Sequence, residues 1–217
     1  MPRSQRPADA LVVTPDQLLD NRRVQLVTLA THYRLPAIYP FRENVEIGLV
    51  ASLLPRAERF AVLLNPNNRN SDALTRDLQA TASAIGKQVE VLTARNIREI
   101  DAAFARAADA LVVTPDQLLD SRRVQLVTLA THYRLPAIYA FREHVEIGGL
   151  MSYGSSAAER DRQVGIYAGR ILKGEKPADL PVIRAAKFEF VINLQTARVL
   201  GLDVPATLLG TADEIIE

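Results

Sequence analysis

The feature that most constrains how this chain folds is that it carries one of its own segments twice. Set against itself at an offset of 100 residues, the sequence aligns Ala8 to Gly48 with Ala108 to Gly148, and the two runs differ only at Asn21/Ser121, Pro40/Ala140 and Asn44/His144. Near-identity over such a length is beyond convergent patterning, and two copies at so long a period make no solenoid. A recent duplication or a rearranged chain is expected. Each copy reads "DALVV", "TPDQLLD", "RRVQLVTLATHYR", "LPAIY". That is an apolar strand, a polar turn, a segment of helical period and a second apolar strand: one βαβ unit.

Between the copies, "RFAVLLNPN" predicts a strand ending in an Asn/Pro turn. "SDALTRDLQATASAIG" predicts a helix with Ser71 as its N-cap, Leu74, Leu78, Ala82 and Ile85 on one face and Gly86 as its stop. "QVEVLTA" is a strand and "NIREIDAAFARA" a helix with Ile97, Ile100 and Phe104 on one side. Arg59 to Gly148 therefore reads βαβαβαβ. The strands are continuous apolar runs, as expected when helices cover both faces, so the fold class is α/β with a doubly wound parallel sheet. Beyond the second copy come a short strand in "GGLMSYG", a helix stopped by Gly174, a Pro-containing extended connector "EKPADLPV", and a last strand and helix capped by Asn193 and ended at Gly201.

Composition narrows the function. The 217 residues suffice for one substantial domain or two small lobes. A net charge of +1 with no basic run gives no field to gather nucleic acid, which is excluded as a partner. Without cysteine there is no disulfide, thiolate metal site or Cys nucleophile. No apolar stretch approaches the ~20 residues needed to cross a bilayer. "MPRSQRPADA" has no apolar core, so no secretion signal is read there, and a chain starting at Met1 is expected to be cytoplasmic.

In doubly wound sheets ligands gather at the C-terminal ends of strands. Three polar turns fall at such ends: Asn65 to Asp72, Thr114 to Gln117, and Ala140 to His144. The first offers Asn67, Asn68, Asn70 and Ser71 at a helix start, either as an anion cradle or as plain capping chemistry. The others supply Asp116 and Glu143, two carboxylates able to face a ligand cation. Asp116 can equally be a helix-start acid acting on the macrodipole, and Glu143 a solvated loop residue. Tyr153 can line an organic ligand or pack in the core. Arg122 and Arg123 suit a phosphate or an exposed surface, while His32 and His132 suit packing. With no nucleophile elbow, Walker loop, GxGxxG or metal-spaced His pair, neither catalysis nor a cofactor or metal is expected.

The run "RFAVLLNPNN", "VVTPDQLLDSRR", "LPAIYAFREHVEIGGLMSYG", "YAGRILKGEKPADLPV" and "KFEFVINLQTARVLGL" resembles the substrate-binding proteins of ABC transporters, in the branch that includes tryptophan and tyrosine uptake receptors. The resemblance covers Leu54 to Glu217. It implies a flavodoxin-like lobe of a type I periplasmic binding protein, with an incomplete second lobe, that binds a small solute such as an amino acid and presents it to permease subunits. It further implies a periplasmic location, no enzymatic activity, and ligand-binding residues Asn67, Asn68, Ser71, Thr114, Asp116, Gln117, Glu143 and Tyr153. The expected organisation is residues 1–53 as the repeated segment forming a partial N-terminal lobe, 54–150 as the flavodoxin-like lobe, 151–180 as a crossing helix and linker, and 181–217 as the return. A domain-swapped homodimer is an alternative home for the first copy. Rival readings are a rearranged or engineered scaffold without ligand, and a receiver-like domain using Asp116.

Overall fold

The computed structural model describes residues 11–12, 37–38, 42–106, 108–181 and 188–217. Strand β1 (Leu11–Val12) pairs in parallel with β2 (Ala37–Ile38) in a two-stranded sheet. The remaining described strands are β3 (Arg59–Leu64), β4 (Gln88–Thr93), β5 (Ala110–Val113), β6 (Ala137–Tyr139), β7 (Met151–Ser155), β8 (Phe188–Asn193) and β9 (Glu214–Ile216). They form one sheet in the order β4-β3-β5-β6-β7-β8-β9. It is parallel from β4 to β7; β8 then runs antiparallel to β7, and β9 parallel to β8.

The expected α/β layering arises from the strands themselves. Every residue of β5 and β6, and all of β3 after Arg59, is buried. A strand of that kind has no solvent face and needs helices on both sides. On one face, α1 (Arg42–Leu53), α2 (Ser71–Ala84), α8 (Leu194–Leu200) and α9 (Ala206–Leu209) bury Ile47, Leu78, Ala197 and Leu208 against Phe60, Val62 and Val112. On the other, α3 (Ile97–Phe104), α4 (Gln117–Ser121) and α5 (Arg123–His132) bury Ile100, Leu119 and Leu126 against Leu63, Leu111 and Val113. Helix α1 shares this core, although the lobe was expected to begin only at residue 54.

Helix ends match their sequence signals in most places. Asn193 Oδ1 accepts from the Thr196 N–H at 2.9 Å, and Gly201 ends α8 in the left-handed region at φ 73°. Ser156 caps α7 (Ala157–Leu172), and Gly86 and Gly174 lie just past their helices at positive φ. Two details differ from expectation. Asn70, not Ser71, holds the N-cap position of α2. The connector after Gly174 contains a 3-10 turn at Pro177–Asp179, because Pro at its first position already has the required φ.

The turn after β6 also differs: it is a short helix, α6 (Arg142–Glu146). Arg142 ties it to the far strands, reaching Glu146 at 2.8 Å, Glu214 of β9 at 2.9 Å and Glu189 of β8 at 3.5 Å. Beneath it the buried His144 ring stacks on Tyr139, with centroids 4.7 Å apart, and neither imidazole nitrogen has a well-aligned hydrogen-bond partner among the described residues. Burial away from water pushes the His144 pKa down to about 4, with the Asp120 carboxylate and the Phe141 backbone carbonyl working against the shift and Arg123 with it.

One sequence folds in two ways across the repeat. In the second copy, "FREHVEIG" stops at Glu146 and turns through Gly148, at φ 104°, into β7. In the first, "RENVEIG" runs straight through Gly48 and continues as α1 to Leu53. Burial inverts accordingly: Ile47 is 0% exposed and Ile147 44%. Gly149 explains the choice, since a Cβ there would sit 2.6 Å from the His144 carbonyl oxygen. The first copy has Leu49 at that position and cannot make the turn.

This geometry sets the sign of two glycine substitutions. Gly48 lies mid-helix, and among the described residues nothing beyond its own helix comes within 4 Å of where an alanine methyl would sit, so Gly48→Ala should raise stability by up to ~1 kcal/mol. Gly149→Ala should lower it by ~1–3 kcal/mol through overpacking, and urea denaturation of the two variants should show opposite signs. For His144, the unfolded chain takes up a proton near pH ~6.5, which the folded chain refuses until about pH 4. Stability is therefore intact above that range and falls as pH drops, by about 2 kcal/mol between roughly pH 7.5 and pH 5. His144→Asn, which installs the first copy's residue, should flatten the loss in paired urea titrations.

Candidate functional site

The site begins with a reversal of strand order. From β3 the chain steps outward to β4, then crosses back to β5 on the other side of β3. Helices α2 and α4, which come after β3 and β5, consequently lie on opposite faces of the sheet. The loops leading into them diverge and leave a crevice at the carboxyl ends of the two strands.

The loop after β3 is held by its own asparagines. Asn65 Oδ1 accepts from the Asn67 N–H at 3.0 Å, and Asn68 Oδ1 from the Asn70 N–H at 3.1 Å. These short side chains substitute for the missing ladder partners of a turning backbone. Their amide groups point across the crevice: Asn65 Nδ2 donates to Asp116 Oδ1 at 3.1 Å and Asn68 Nδ2 to Asp116 Oδ2 at 3.4 Å. Asp116 also caps α4, accepting from the Leu118 N–H at 2.8 Å. One carboxylate thus caps a helix and ties together two loops separated by about 50 residues in sequence. The buried Thr114 secures the same junction, its hydroxyl donating to the Leu63 carbonyl at 3.0 Å.

A cavity of about 210 Å³ opens beside this tie, lined by Leu64, Asn65, Asn68, Asn70, Ser71, Ala73, Leu74, Asp77, Thr114 and Pro115. It lies at the amino end of α2, a 14-residue helix whose N-cap Asn70 puts no side-chain oxygen on the first turn. The N–H groups and dipole of that turn make this wall partly positive, with Asp72 offsetting some of the charge. Ser71 places its hydroxyl on the same wall, 3.4 Å from the Pro66 carbonyl.

Of the residues read from the sequence, Asn68, Asn70, Ser71 and Thr114 line this cavity, and Asp116 bonds to two of its asparagines. Asn67 and Gln117 are exposed at its margin. Glu143 stands one strand further on, half-buried in the first turn of α6 after β6, on the same rim but outside the lining. Tyr153 lies within β7, stacks on Phe188 at 5.5 Å and packs against the core. Asn65, Pro115 and Asp77 were not singled out from sequence. The position of Asn65 immediately after a buried strand was the available signal for the first. The helical spacing of Asp77 from Ala73 and Leu74 was the signal for the last. Among the described residues no cluster of His, Cys, Asp or Glu could hold a metal ion. His132 lies against Tyr133 in an edge contact at the end of α5, away from the crevice.

Comparison with known proteins agrees with this architecture. The family model for ABC transporter substrate-binding proteins matches residues 40–216. A curated relative, the tyrosine-binding protein of Clostridioides difficile, is 24% identical over 159 residues, covering 72% of this chain and 46% of the relative. A solved ABC domain from Streptococcus pneumonia, in complex with L-Trp, superposes with a TM-score of 0.73 at 26% identity, covering 81% of this chain and 62% of that one. A conserved domain protein from Vibrio cholerae gives the same TM-score at 24% identity, covering 83% and 61%. The chain spans less than half of that curated relative's length and under two thirds of these solved structures.

The tie at Asp116 makes a direct prediction. Asp116→Ala removes a helix cap and leaves two amide groups without their acceptor, so it should destabilise the chain by roughly 2–3 kcal/mol, against less than ~1 kcal/mol for the exposed Gln117→Ala. Thermal or urea melts of the two neighbours measure the difference.

Proposed function

Because the chain belongs to the ABC transporter substrate-binding protein family, we propose that it supplies one wall of a solute-binding cleft serving an ABC-type importer. The observation that carries this reading is the crevice at the strand-order reversal, where Asn65, Asn68 and Asp116 are tied together beside the open first turn of α2. The solute is a small amino-acid-like molecule. Its carboxylate meets the N–H groups of α2 and the Ser71 hydroxyl, and its ammonium faces the Asp116 and Glu143 side of the rim. The relatives named for tyrosine and solved with L-Trp favour an aromatic amino acid.

The size of the cavity supports a single wall rather than a complete site. About 210 Å³ falls below the ~300–1,000 Å³ of ordinary small-molecule pockets, so a ligand here is covered on one side only. Helix α7 leaves Val164 and Leu172 63% and 87% exposed, a surface of the kind a second lobe covers. The protein works as a receptor rather than an enzyme, outside the cytoplasmic membrane, with permease subunits as partners.

Isothermal titration with L-Trp, L-Tyr and a panel of other amino acids tests the reading. The expected result is binding by one aromatic amino acid, weakened roughly tenfold by Ser71→Ala, which removes a hydroxyl from the ligand carboxylate, and about 3–10-fold by Asn68→Ala, which loosens the loop that shapes the wall. No heat and no thermal stabilisation with any amino acid at millimolar concentration would overturn it.

A further inference from the structure

The β5–α4–α5–β6 unit fills a slot in the middle of the seven-stranded sheet, between β3 on one side and β7 on the other. The side chains that hold it there can be named. Leu111, Val113, Leu119, Leu126, Ala130 and Tyr139 are buried against one layer of helices. Asp109 accepts from the N–H groups of Glu58 and Arg59, both at 2.9 Å. Thr114 bonds the Leu63 carbonyl, Asp116 takes the two asparagine amides, and Gln125 Nε2 donates to Asp101 Oδ1 of α3 at 2.8 Å.

Each of these residues has an identical twin 100 positions earlier: Leu11, Val13, Leu19, Leu26, Ala30 and Tyr39 for packing, and Asp9, Thr14, Asp16 and Gln25 for the polar contacts. Across residues 109–139 and 9–39 the sole difference is Ser121 against Asn21, and Ser121 is exposed. The strand register is conserved as well. Leu111 pairs with Ala137 and Val112 with Ile138 in the slot; Leu11 pairs with Ala37 and Val12 with Ile38 in the two-stranded sheet. Nothing inside the unit distinguishes one copy from the other.

The geometry points to a second closed form of this chain, in which residues 9–39 occupy the slot and residues 109–139 are expelled. The discrimination between the forms lies outside the unit, at its exit. The second copy leaves through Gly148, at φ 104°, and Gly149, whose missing Cβ would otherwise lie 2.6 Å from the His144 carbonyl oxygen. That turn feeds β7 directly. The first copy leaves through Leu49, whose side chain forbids the turn, and continues as α1. The slot therefore accepts either occupant, and Gly149, which the first copy replaces with Leu49, biases it toward the second copy. Interchange of this sort needs no partner molecule, because donor and acceptor are on one chain.

The absence of native cysteine makes the test clean. In the full-length chain, Asp101→Cys is combined either with Gln125→Cys or with Gln25→Cys. A short bis-maleimide then reports by peptide mass spectrometry which copy lies beside α3. Leu126→Asp disables the second copy, and Leu26→Asp the first.

The expected result is that the parent and Leu26→Asp link position 101 predominantly to 125. Leu126→Asp should keep a cooperative thermal transition and link 101 mainly to 25 within monomers, and the double variant should lose the transition. Leu126→Asp as unfolded as the double variant would overturn the proposal. So would a folded Leu126→Asp without the 101 to 25 link, or with that link only in covalent dimers.

Discussion

The reversal of strand order between β3 and β5 is the constraint on which the rest depends. It sends α2 and α4 to opposite faces of the sheet and leaves their leading loops splayed over open strand ends. Open ends mean backbone groups without ladder partners and two loops with no direct reason to meet. Asn65, Asn68 and Asp116 answer both needs at once, by turning the loop on its own side chains and bonding across the gap. The same reversal creates the kind of concavity that a flat three-layer domain most readily offers, so structural need and ligand access share one address.

The repeat shows how weakly a local sequence determines its own fate. Seven of the eight residues in "FREHVEIG" recur in "FRENVEIG", and both begin a helix in the region the structure describes. The residue just past each run decides how that helix ends. With Gly149 the backbone can close to within contact of the His144 carbonyl and enter β7; with Leu49 it cannot, and the helix continues. Burial then changes sides for identical residues, Ile47 entering the core while Ile147 faces solvent. Tertiary context overrides propensity here through a single steric exclusion.

Much of the lobe was legible because its signals are local. Continuous apolar runs marked β3, β5 and β6 as doubly covered strands, and Leu74, Leu78, Ala82 and Ile85 defined the buried face of α2. Asn193, Gly86, Gly174 and Gly201 marked helix ends through chemistry confined to a few residues. The illegible parts involve partners distant in sequence. Tyr153, which the sequence leaves open between ligand and core, meets Phe188 across the antiparallel β7–β8 pair, a neighbour 35 positions away that no local signal announces. Arg142 gave no sign that it would gather carboxylates from both β8 and β9. The helix expected from the first copy between β1 and β2, and most of the partial N-terminal lobe expected from residues 1–53, fall outside the described residues.

The two roles open to Asp116, helix cap or ligand contact, compete for the same acceptor sites. An ionised carboxylate offers about four lone-pair directions. The Leu118 N–H and the amides of Asn65 and Asn68 take three of them. The side-chain carbonyls of those asparagines are in turn occupied by the Asn67 and Asn70 N–H groups. Little hydrogen-bonding capacity is left in the triad for a solute, so its main contribution is to fix the shape and charge of the wall. The groups facing an anion are the N–H groups of the first turn of α2 and the Ser71 hydroxyl, which already donates to the Pro66 carbonyl at 3.4 Å and must turn from it, so on the proposed reading recognition of a carboxylate originates mainly in the backbone. A cation has one remaining direction at Asp116 and the carboxylate of Glu143 one strand away. On the proposed reading, a solute satisfying both ends lies along the rim, across the ends of β3, β5 and β6, rather than pointing down into the sheet.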